Sequence, residues 1–238
     1  MTAIPDHART EAPAERVHVV DDDPAILRVV ANFLGAVGVS VVCHTSAAGF
    51  LAALHPNEFG CAVIDMVLPG VERFTLLRKL GEDYPGVQVI MMSGHGDIPN
   101  AVEAVRHGAV DFLEKPLRQH RLTGLVRSAL DTARAQRAKA FTARDTRSRL
   151  ERLTKREFEL LPMFCQGKTV KEIALNLGLS HKTVQVHRSR ILERMHVDSV
   201  VELLNLLHDV NWEGRVDRAD EVDWQARGDS RESNPGLG

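Results

Sequence analysis

Short apolar runs alternate with segments of helical period in the first half of the chain. The runs that predict β-strands are VHVVD at 17–21, VSVVC at 39–43, CAVID at 61–65, VQVIMM at 87–92 and DFLE at 111–114. Between them, apolar residues such as Ile26, Val30 and Phe33 recur three or four positions apart, which predicts helices packed against a sheet. Five such units favour a doubly wound parallel sheet of the α/β class, with its ligand site at the carboxyl ends of the strands.

The second half of the chain predicts an all-α unit. Beyond Pro116, a long helical pattern passes into a stretch rich in Ala and Arg, which we expect to be the last helix of the first domain continuing as a solvated linker. Short helices are then predicted at 155–165, 170–177, 181–195 and about 199–208. Thr154 and Glu157 fit a capping box at the start of the first of these helices.

These patterns divide the chain into segments with different expected structures. They are a disordered extension at 1–15, an α/β domain at 16–135, a helical linker at 136–149, an all-α domain at 150–210 and a disordered tail at 211–238. The tail is left without structure because it is polar and rich in Gly, Asp and Arg.

Composition narrows the class of protein. With 238 residues, of which 44% are hydrophobic, the chain is long enough for two domains with cores of their own. It has no run of 18 apolar residues and no signal-peptide layout at its start, so we expect a cytoplasmic protein without a membrane segment. Cys43, Cys61 and Cys165 have no CxxC partner, which argues against a disulfide framework or a zinc site.

The net charge of −2 conceals an asymmetry along the chain. Residues 17–131 carry 9 Lys and Arg against 13 Asp and Glu, whereas residues 132–196 carry 15 against 6. An acidic first half followed by a basic block indicates that only the second half meets a polyanion.

Acidic and cationic residues follow the predicted strands. Asp21 ends the first strand and Asp22 follows it, Asp65 ends the third, Ser93 follows the fourth and Lys115 follows the fifth. Because the carboxyl ends of parallel strands meet at one edge of a sheet, we expect these residues to form one pocket. Clustered carboxylates suit Mg²⁺, and Asp65 is best placed to act as a nucleophile toward phosphorus.

The segments VHVVDDDPAI, CAVIDMVLP, VIMMSGHGDI and DFLEKPL resemble the motifs of two-component response-regulator receiver domains, over about residues 17–135. The resemblance implies a flavodoxin-like fold with Asp65 as the phosphoacceptor. It implies that Asp21, Asp22, Asp65 and the backbone carbonyl of Val67 hold Mg²⁺. It also implies that Ser93 contacts the phosphoryl group and that Lys115 pairs with it.

The same resemblance makes predictions about how such a domain switches. Phe112 stands at the aromatic switch position, although an ordinary strand residue is an equal alternative. The Lys115-Pro116 bond is expected to be cis. The face built from residues 98–107 and 111–114 is expected to shift on phosphorylation. Val71-Glu72-Arg73 stands where the family usually has a second glycine, so the loop beside Asp65 departs from the family pattern.

A helix-turn-helix is predicted in the basic block. The segment KEIALNLGLSHKTVQVHRSRILERM holds two amphipathic helices joined around Gly178, with Ser180 as the N-cap of the second. The second helix displays amide, hydroxyl and cationic side chains on its outer face, which suits entry into a DNA major groove. A small helical bundle with a solvated basic face is the alternative.

The segments Leu153–Glu157, Lys171–Ala174 and Lys182–Arg188, together with Gly167, are similar to the LuxR-type helix-turn-helix, over about residues 150–208. The resemblance implies base-contacting positions at Gln185, Val186 and Ser189. It implies positions nearer the phosphates at Lys171, Lys182, Thr183 and Arg188. Pro162 departs from the pattern because it interrupts the first predicted helix of this domain.

A receiver followed by a LuxR-type domain resembles the NarL/FixJ class of response regulators, and GHGDIPNAV and GAVDFLEKP resemble its FixJ subfamily. This implies phosphorylation of Asp65 by a sensor histidine kinase, followed by binding of a homodimer to double-stranded promoter DNA. We expect transcription then to be regulated by activation, with RNA polymerase as a further partner. Such a protein is not an enzyme in the usual sense.

Other functions remain compatible with the residues. One is a DNA-binding regulator that uses the receiver only as a protein-interaction module, independently of phosphorylation. The complete set of pocket residues argues against it. The other is a flavodoxin-like enzyme with an accessory helical domain, against which stands the absence of a glycine-rich phosphate loop after the first strand.

Overall fold

A computed structural model describes residues 16–72, 74–94 and 98–212, with backbone alone for 98–100. The chain divides into two compact units between Phe141 and Thr142. The extension predicted at 1–15, the departure at Arg73 and the tail from 213 onward lie outside the described residues.

The first unit is built on a five-stranded parallel sheet, as predicted. Its strands are β1 (Arg16–Val20), β2 (Ser40–His44), β3 (Gly60–Asp65), β4 (Val87–Ser93) and β5 (Asp111–Glu114), and they lie in the order β2-β1-β3-β4-β5. The predicted bounds differ from these by one residue at most. Every residue of β3 and β4 is buried, which explains why these segments are apolar runs rather than alternating patterns.

Helices cover both faces of this sheet. They are α1 (Pro24–Gly35), α2 (Ala47–Ala53), α3 (Thr75–Asp83), α4 (Ile98–Arg106) and α5 (Gln119–Glu151). One core joins Phe50, Ile64 and Leu80 on the face covered by α2, α3 and α4. The other joins Leu34, Val63 and Leu122 on the opposite face. With both faces closed, the carboxyl edge of the sheet is left for polar groups.

Helix α5 is 33 residues long and runs through the segment predicted as a linker. Its first half packs on the sheet through Leu122 and Val126. One face of its last turns is buried, because Thr146 is fully buried and Leu150 belongs to the core of the second unit, whereas Arg144 and Arg147 are exposed. The expectation of a solvated linker is therefore wrong for that one face.

The second unit is helical throughout its described core. Its further helices are α6 (Lys155–Cys165), α7 (Val170–Leu177), α8 (His181–Met195) and α9 (Val200–Asp209). Apolar residues including Leu160, Ile173 and Ile191 fill the space between them. The capping box predicted for Thr154 and Glu157 is present at the start of α6.

Two details of the second unit correct the sequence interpretation. Pro162 does not interrupt α6. The helix continues to Cys165 although the proline has no backbone N–H to donate within it. Trp212, placed in the disordered tail, packs against the helical core, with its ring at right angles to that of Phe158 and 6.3 Å away. The polar composition of the tail gave no sign of this aromatic contact.

Across the described residues, no helix combines the length and apolar character needed to span a bilayer.

Candidate functional site

Three carboxylates meet at the carboxyl edge of the sheet. Asp21 and Asp22 follow β1, and Asp65 is the last residue of β3. One ligand oxygen from each lies within 4.8 Å of the other two. Asp21 and Asp65 are buried, whereas Asp22 is exposed. The parallel topology thus brings together groups that lie 44 residues apart in the sequence, as the position of these residues after predicted strands indicates.

Lys115, directly after β5, reaches into the same pocket. Its Nζ lies 2.7 Å from Oδ2 of Asp21 and 3.1 Å from Oδ1 of Asp65. The Lys115 backbone N–H donates to the carbonyl of Ser93 at 2.8 Å, which ties the loop to the end of β4. The Lys115-Pro116 bond is cis, as predicted.

Backbone donors hold the carboxylates in place. Oδ1 of Asp21 accepts a hydrogen bond from the Asp23 backbone N–H at 2.9 Å. The Asp65 carboxylate accepts one from the backbone N–H of Val67. The side chain of Asp23 turns away to accept from the N–H of Ala25 and cap α1. The first two acidic residues of the DDD run therefore serve the pocket, and the third serves the helix.

The charges in the pocket are unbalanced. Burial raises the pKa of the Asp65 carboxyl above its usual value, and Asp21 adds to this, while the hydrogen bond and charge of Lys115 oppose it. Burial alone would lower the pKa of Lys115, but its contacts with Asp21 and Asp65 outweigh burial and raise it. In the described part of the pocket, three carboxylates lie close together and one lysine contacts two of them, Asp21 and Asp65. An all-oxygen donor set with one exposed member fits Mg²⁺, which keeps part of its water shell.

The predicted switch residues lie beside this pocket. Ser93 is the last residue of β4 and is buried, next to the strand that ends in Asp65. Phe112 is half-buried on β5 and packs against the core beneath α3 and α4. Both the switch role and the ordinary strand role of Phe112 are compatible with this position.

The surface formed by α4 and β5 carries exposed apolar side chains. Val102 and Val105 of α4 are 48% and 55% exposed, and Val110, directly before β5, is 46% exposed. Scattered exposed valines are common, but two on α4 and one directly before β5 are a feature that a partner can cover.

In the second unit, α7, a short turn and α8 form the predicted helix-turn-helix. Gly178 ends α7 in the left-handed conformation with φ of 64°, which glycine adopts without strain. The Ser180 hydroxyl accepts from the Thr183 N–H at 3.0 Å and caps α8. The side chains of Val184, Ile191 and Met195 face the core. Both helix ends are therefore fixed by local residues that the sequence displays directly.

The opposite face of this motif carries the predicted DNA-contacting residues. The exposed ones are Lys171, Lys182, Gln185, Val186, Arg188 and Ser189. Thr183 is half-buried, and its hydroxyl is 2.8 Å from that of Ser180, so part of its hydrogen-bonding capacity is used inside the protein.

A cleft beside α8 adds a cation that sequence reasoning missed. The cleft has a volume of about 220 Å³ and is lined by Lys168, Thr169 and Arg188 over the apolar side chains of Phe164 and Val200. Lys168 directly precedes Thr169, the residue that caps α7. Lys168 and Arg188 lie 20 residues apart, so no local sequence pattern marks the cleft that they share.

Comparison with known proteins decides the family. Residues 17–127 match the family model for the response regulator receiver domain, and residues 151–207 match that for bacterial regulatory proteins of the luxR family. The response regulator protein TodT of Pseudomonas putida is 38% identical over 196 residues, which is 81% of this chain and 85% of TodT. The chain is a response regulator of the NarL/FixJ class.

Other relatives of this response regulator agree. The transcriptional regulatory protein FixJ of Azorhizobium caulinodans is 38% identical over 190 residues, covering 80% of this chain and 90% of FixJ. Among solved structures, the response regulator StyR is 32% identical with a TM-score of 0.74, covering 82% of this chain and 98% of StyR. The response regulator assignment replaces the flavodoxin-like enzyme that the fold of the first unit alone leaves open.

Proposed function

We propose that this response regulator is phosphorylated on Asp65 by a sensor histidine kinase and then binds promoter DNA as a dimer to regulate transcription, as an activator. The observation that carries the proposal is the placement of Lys115 Nζ between the buried carboxylates of Asp21 and Asp65, at 2.7 and 3.1 Å. A lysine held in this way is poised to exchange a carboxylate partner for a phosphoryl group at the same place.

The proposed chemistry is phosphoryl transfer to a carboxylate. An oxygen of Asp65 forms a bond to phosphorus, and the bond from phosphorus to the nitrogen of a phosphohistidine on the kinase breaks, with the electron pair returning to the imidazole. Lys115 donates to the transferred phosphoryl oxygens. The residues that would hold Mg²⁺ are Asp21, Asp22, Asp65 and the carbonyl of Val67, and the bound ion supplies positive charge that offsets the phosphoryl oxygens.

Phosphorylation changes the charge balance of the pocket. It replaces the single negative charge of the Asp65 carboxylate with an acyl phosphate that carries nearly two, so Lys115 and the hydroxyl of Ser93 gain a stronger acceptor than a carboxylate. Because β4 and β5 end beside Asp65, movement of these side chains biases the position of Phe112 and of the surface that carries Val102 and Val105. We assign this surface to the dimer that forms after phosphorylation, in which the valines leave water.

The proposed DNA interface is the exposed face of α8 together with the cleft beside it. Gln185 offers the paired donor and acceptor that read adenine, and Val186 offers an apolar contact for a thymine methyl group. Lys168 and Arg188 offer cations for phosphates of the DNA backbone. The excess of nine positive charges over residues 132–196 supports a polyanion as the partner of this unit. RNA polymerase is the further partner that an activator requires.

Sedimentation velocity with Mg²⁺, with and without beryllofluoride as a phosphoryl mimic, tests the proposal. The wild-type protein is expected to shift from monomer to dimer when the mimic is added, and Asp65→Ala is expected to remain a monomer. Asp83→Ala removes an exposed carboxylate on α3 and should shift as the wild type does. A dimer that forms equally with and without the mimic in all three proteins would favour the phosphorylation-independent regulator instead.

A further inference from the structure

Two arginines join the C-terminal turn of α8 to the C-terminal turn of α5, inside the second unit. Arg149 of α5 donates from Nη1 to the carbonyl of Met195, the last residue of α8, at 2.8 Å. Arg194 of α8 donates in the opposite direction, from Nη1 to the carbonyl of Arg152, directly after α5, at 2.8 Å. The two helix ends are therefore held by reciprocal hydrogen bonds.

Arg149 is oriented for this contact by its own helix. Its Nη2 lies 2.6 Å from Oδ2 of Asp145, one turn earlier on α5, while Nη1 reaches the end of α8. The last carbonyls of a helix have no partner within it and carry partial negative charge. A guanidinium group whose side chain is 23% exposed both satisfies such a carbonyl and offsets its charge.

Arg194 is held by a buried carboxylate. Its Nη1 lies 2.7 Å from Oε2 of Glu157, whose side chain is only 1% exposed. The same oxygen accepts from the Thr154 N–H at 2.9 Å, which is the capping contact at the start of α6. The other oxygen, Oε1, has no hydrogen-bond partner among the described residues. Without Arg194, Glu157 would be a buried charge with no cation beside it.

The hydrogen bonds of Arg149 and Arg194 constrain these helix ends in a way that apolar packing alone does not. Leu150, Leu153 and Met195 already bury the same helix ends in one core. Such packing is not directional and allows a helix to slide or tilt slightly, whereas hydrogen bonds to two particular carbonyls fix both its axial position and its rotation. We call the hydrogen bonds of Arg149 and Arg194 to the two helix ends the clasp. Gln185 lies ten residues before Met195, about 15 Å along the helix. A tilt of a few degrees at the clasp therefore moves Gln185 by about 1 Å.

We infer that Arg149 and Arg194 are positioning residues for sequence recognition: they hold α8 at the orientation in which its side chains reach base edges. This inference rests on the proposed function of α8 as the DNA-reading helix. Base contacts are geometrically demanding, whereas contacts of mobile lysines and arginines with phosphates are not. Loss of the clasp therefore lowers discrimination between DNA sequences more than it lowers affinity for DNA in general.

The test uses the full-length protein with Mg²⁺ and beryllofluoride. Wild-type protein selects duplexes from a randomised library, and an enriched duplex is then compared with a shuffled duplex of the same composition. Arg149→Gln is expected to bind the enriched duplex about tenfold more weakly. Its affinity for the shuffled duplex is expected to change by no more than about twofold. The matched control is Arg147→Gln, which removes the same charge from an exposed position on the same helix, and both duplexes should then be affected equally.

A second variant separates positioning from folding. Arg149→Lys keeps the charge and one donor, so it is expected to recover part of the discrimination that Arg149→Gln loses, with the same far-UV helical signal in both. Equal losses on both duplexes would overturn the inference, because Arg149 would then act on DNA only through its charge. Unchanged discrimination would also overturn it. If the wild-type protein enriches no sequence, the proposed DNA recognition itself fails. That result differs from a wild-type protein that discriminates between duplexes while Arg149→Gln is unaffected, which overturns only the inference about the arginines.

Discussion

The receiver pocket and the DNA-binding face reach function by opposite means. The pocket gathers Asp21, Asp65 and Lys115 from three strand ends and keeps the two carboxylates buried. The proposed DNA-binding face takes Gln185 and Arg188 from one continuous helix and leaves both exposed. The pocket therefore depends on the whole sheet and on burial, whereas the face depends on local helix formation and on the orientation of a single helix.

This difference sets what each region responds to. A buried set of like charges responds strongly to one added ion or phosphoryl group, because little water is present to screen it. An exposed basic face responds to salt and to the shape of a much larger partner. The switch that we propose for the first region and the DNA reader that we propose for the second thus each occupy the environment that suits their chemistry.

The largest expected effect comes from destabilising the second unit while the receiver pocket is left unchanged. Ile173 is fully buried in the helical core, and Ile173→Ala should lower the free energy of unfolding of the second unit by about 2–5 kcal/mol. DNA binding should be lost at elevated temperature, while beryllofluoride still binds at the receiver pocket with Mg²⁺. Thermal unfolding followed by DNA binding and by mimic binding measures both. Parallel loss of the two activities would show that the pocket depends on the helical core.

A smaller effect separates two kinds of contact on the DNA-binding face. Gln185→Ala should reduce discrimination between bases by about 1–3 kcal/mol at one position of the site. Lys182→Ala should weaken binding to all sequences alike and reduce the slope of affinity against salt by about one charge. Titrations at several salt concentrations distinguish the two. A uniform loss in Gln185→Ala would assign it to phosphate contact instead.

The charge imbalance of the pocket predicts a gain in stability when one carboxylate is neutralised. Burial and Asp21 raise the pKa of Asp65, so its charged form destabilises the folded receiver at neutral pH. Asp65→Asn should therefore stabilise the protein in metal-free buffer by roughly 1 kcal/mol, the usual size of a single-substitution effect. Added Mg²⁺ should stabilise the wild type more than the variant. Scanning calorimetry with and without Mg²⁺ tests this, and a destabilised Asp65→Asn would contradict the charge argument.

The smallest expected effect concerns a histidine pair elsewhere on the sheet. Nδ1 of His18 lies 2.9 Å from Nε2 of His44, and Nε2 of His18 lies 3.0 Å from Glu58. Burial and the nearby His18 lower the pKa of His44, so its stabilising contribution is present above the unfolded value of about 6.5 and is lost as pH falls below it. The pKa of Glu58 is lowered as well, despite its burial, by hydrogen bonds with His55 and His18. Its contribution is lost only at more acidic pH.

His44→Gln should accordingly flatten the dependence of unfolding free energy on pH between about 7.5 and 5.5. Urea titrations at a series of pH values measure this dependence. His55→Gln is the comparison variant, because it leaves the His18–His44 contact in place and keeps the backbone N–H that donates to Glu58. An unchanged slope in His44→Gln would assign the pH dependence to other groups.

Much of the fold was predictable because its signals are local. Apolar runs such as CAVID mark strands buried on both faces, and the Asp that ends such a run marks the edge of the sheet. Capping residues such as Thr154 and Ser180 fixed the helix starts to within a residue. The receiver pocket followed from these positions together with the convergence of parallel strands at one edge.

The features that were missed depend on contacts between distant residues. His18 and His44 lie in different strands, and neither residue has neighbours that announce a pair. Arg149 and Met195 are separated by 46 residues, and the Arg-rich stretch around Arg149 resembles a solvated helix face. Trp212 sits in a polar segment whose composition hides its packing on Phe158. In each case periodicity reports which face is apolar but not which polar atoms meet across it.

The most direct test of the account is the affinity of the full-length protein for its selected DNA duplex, with Mg²⁺, in the presence and absence of beryllofluoride. Wild-type protein should bind roughly 5- to 150-fold more tightly with the mimic, the usual range of coupling between two sites. Asp65→Ala should bind equally in both conditions. An affinity that does not change in the wild type, or a gain that survives in Asp65→Ala, would contradict control of DNA binding by the Asp65 pocket.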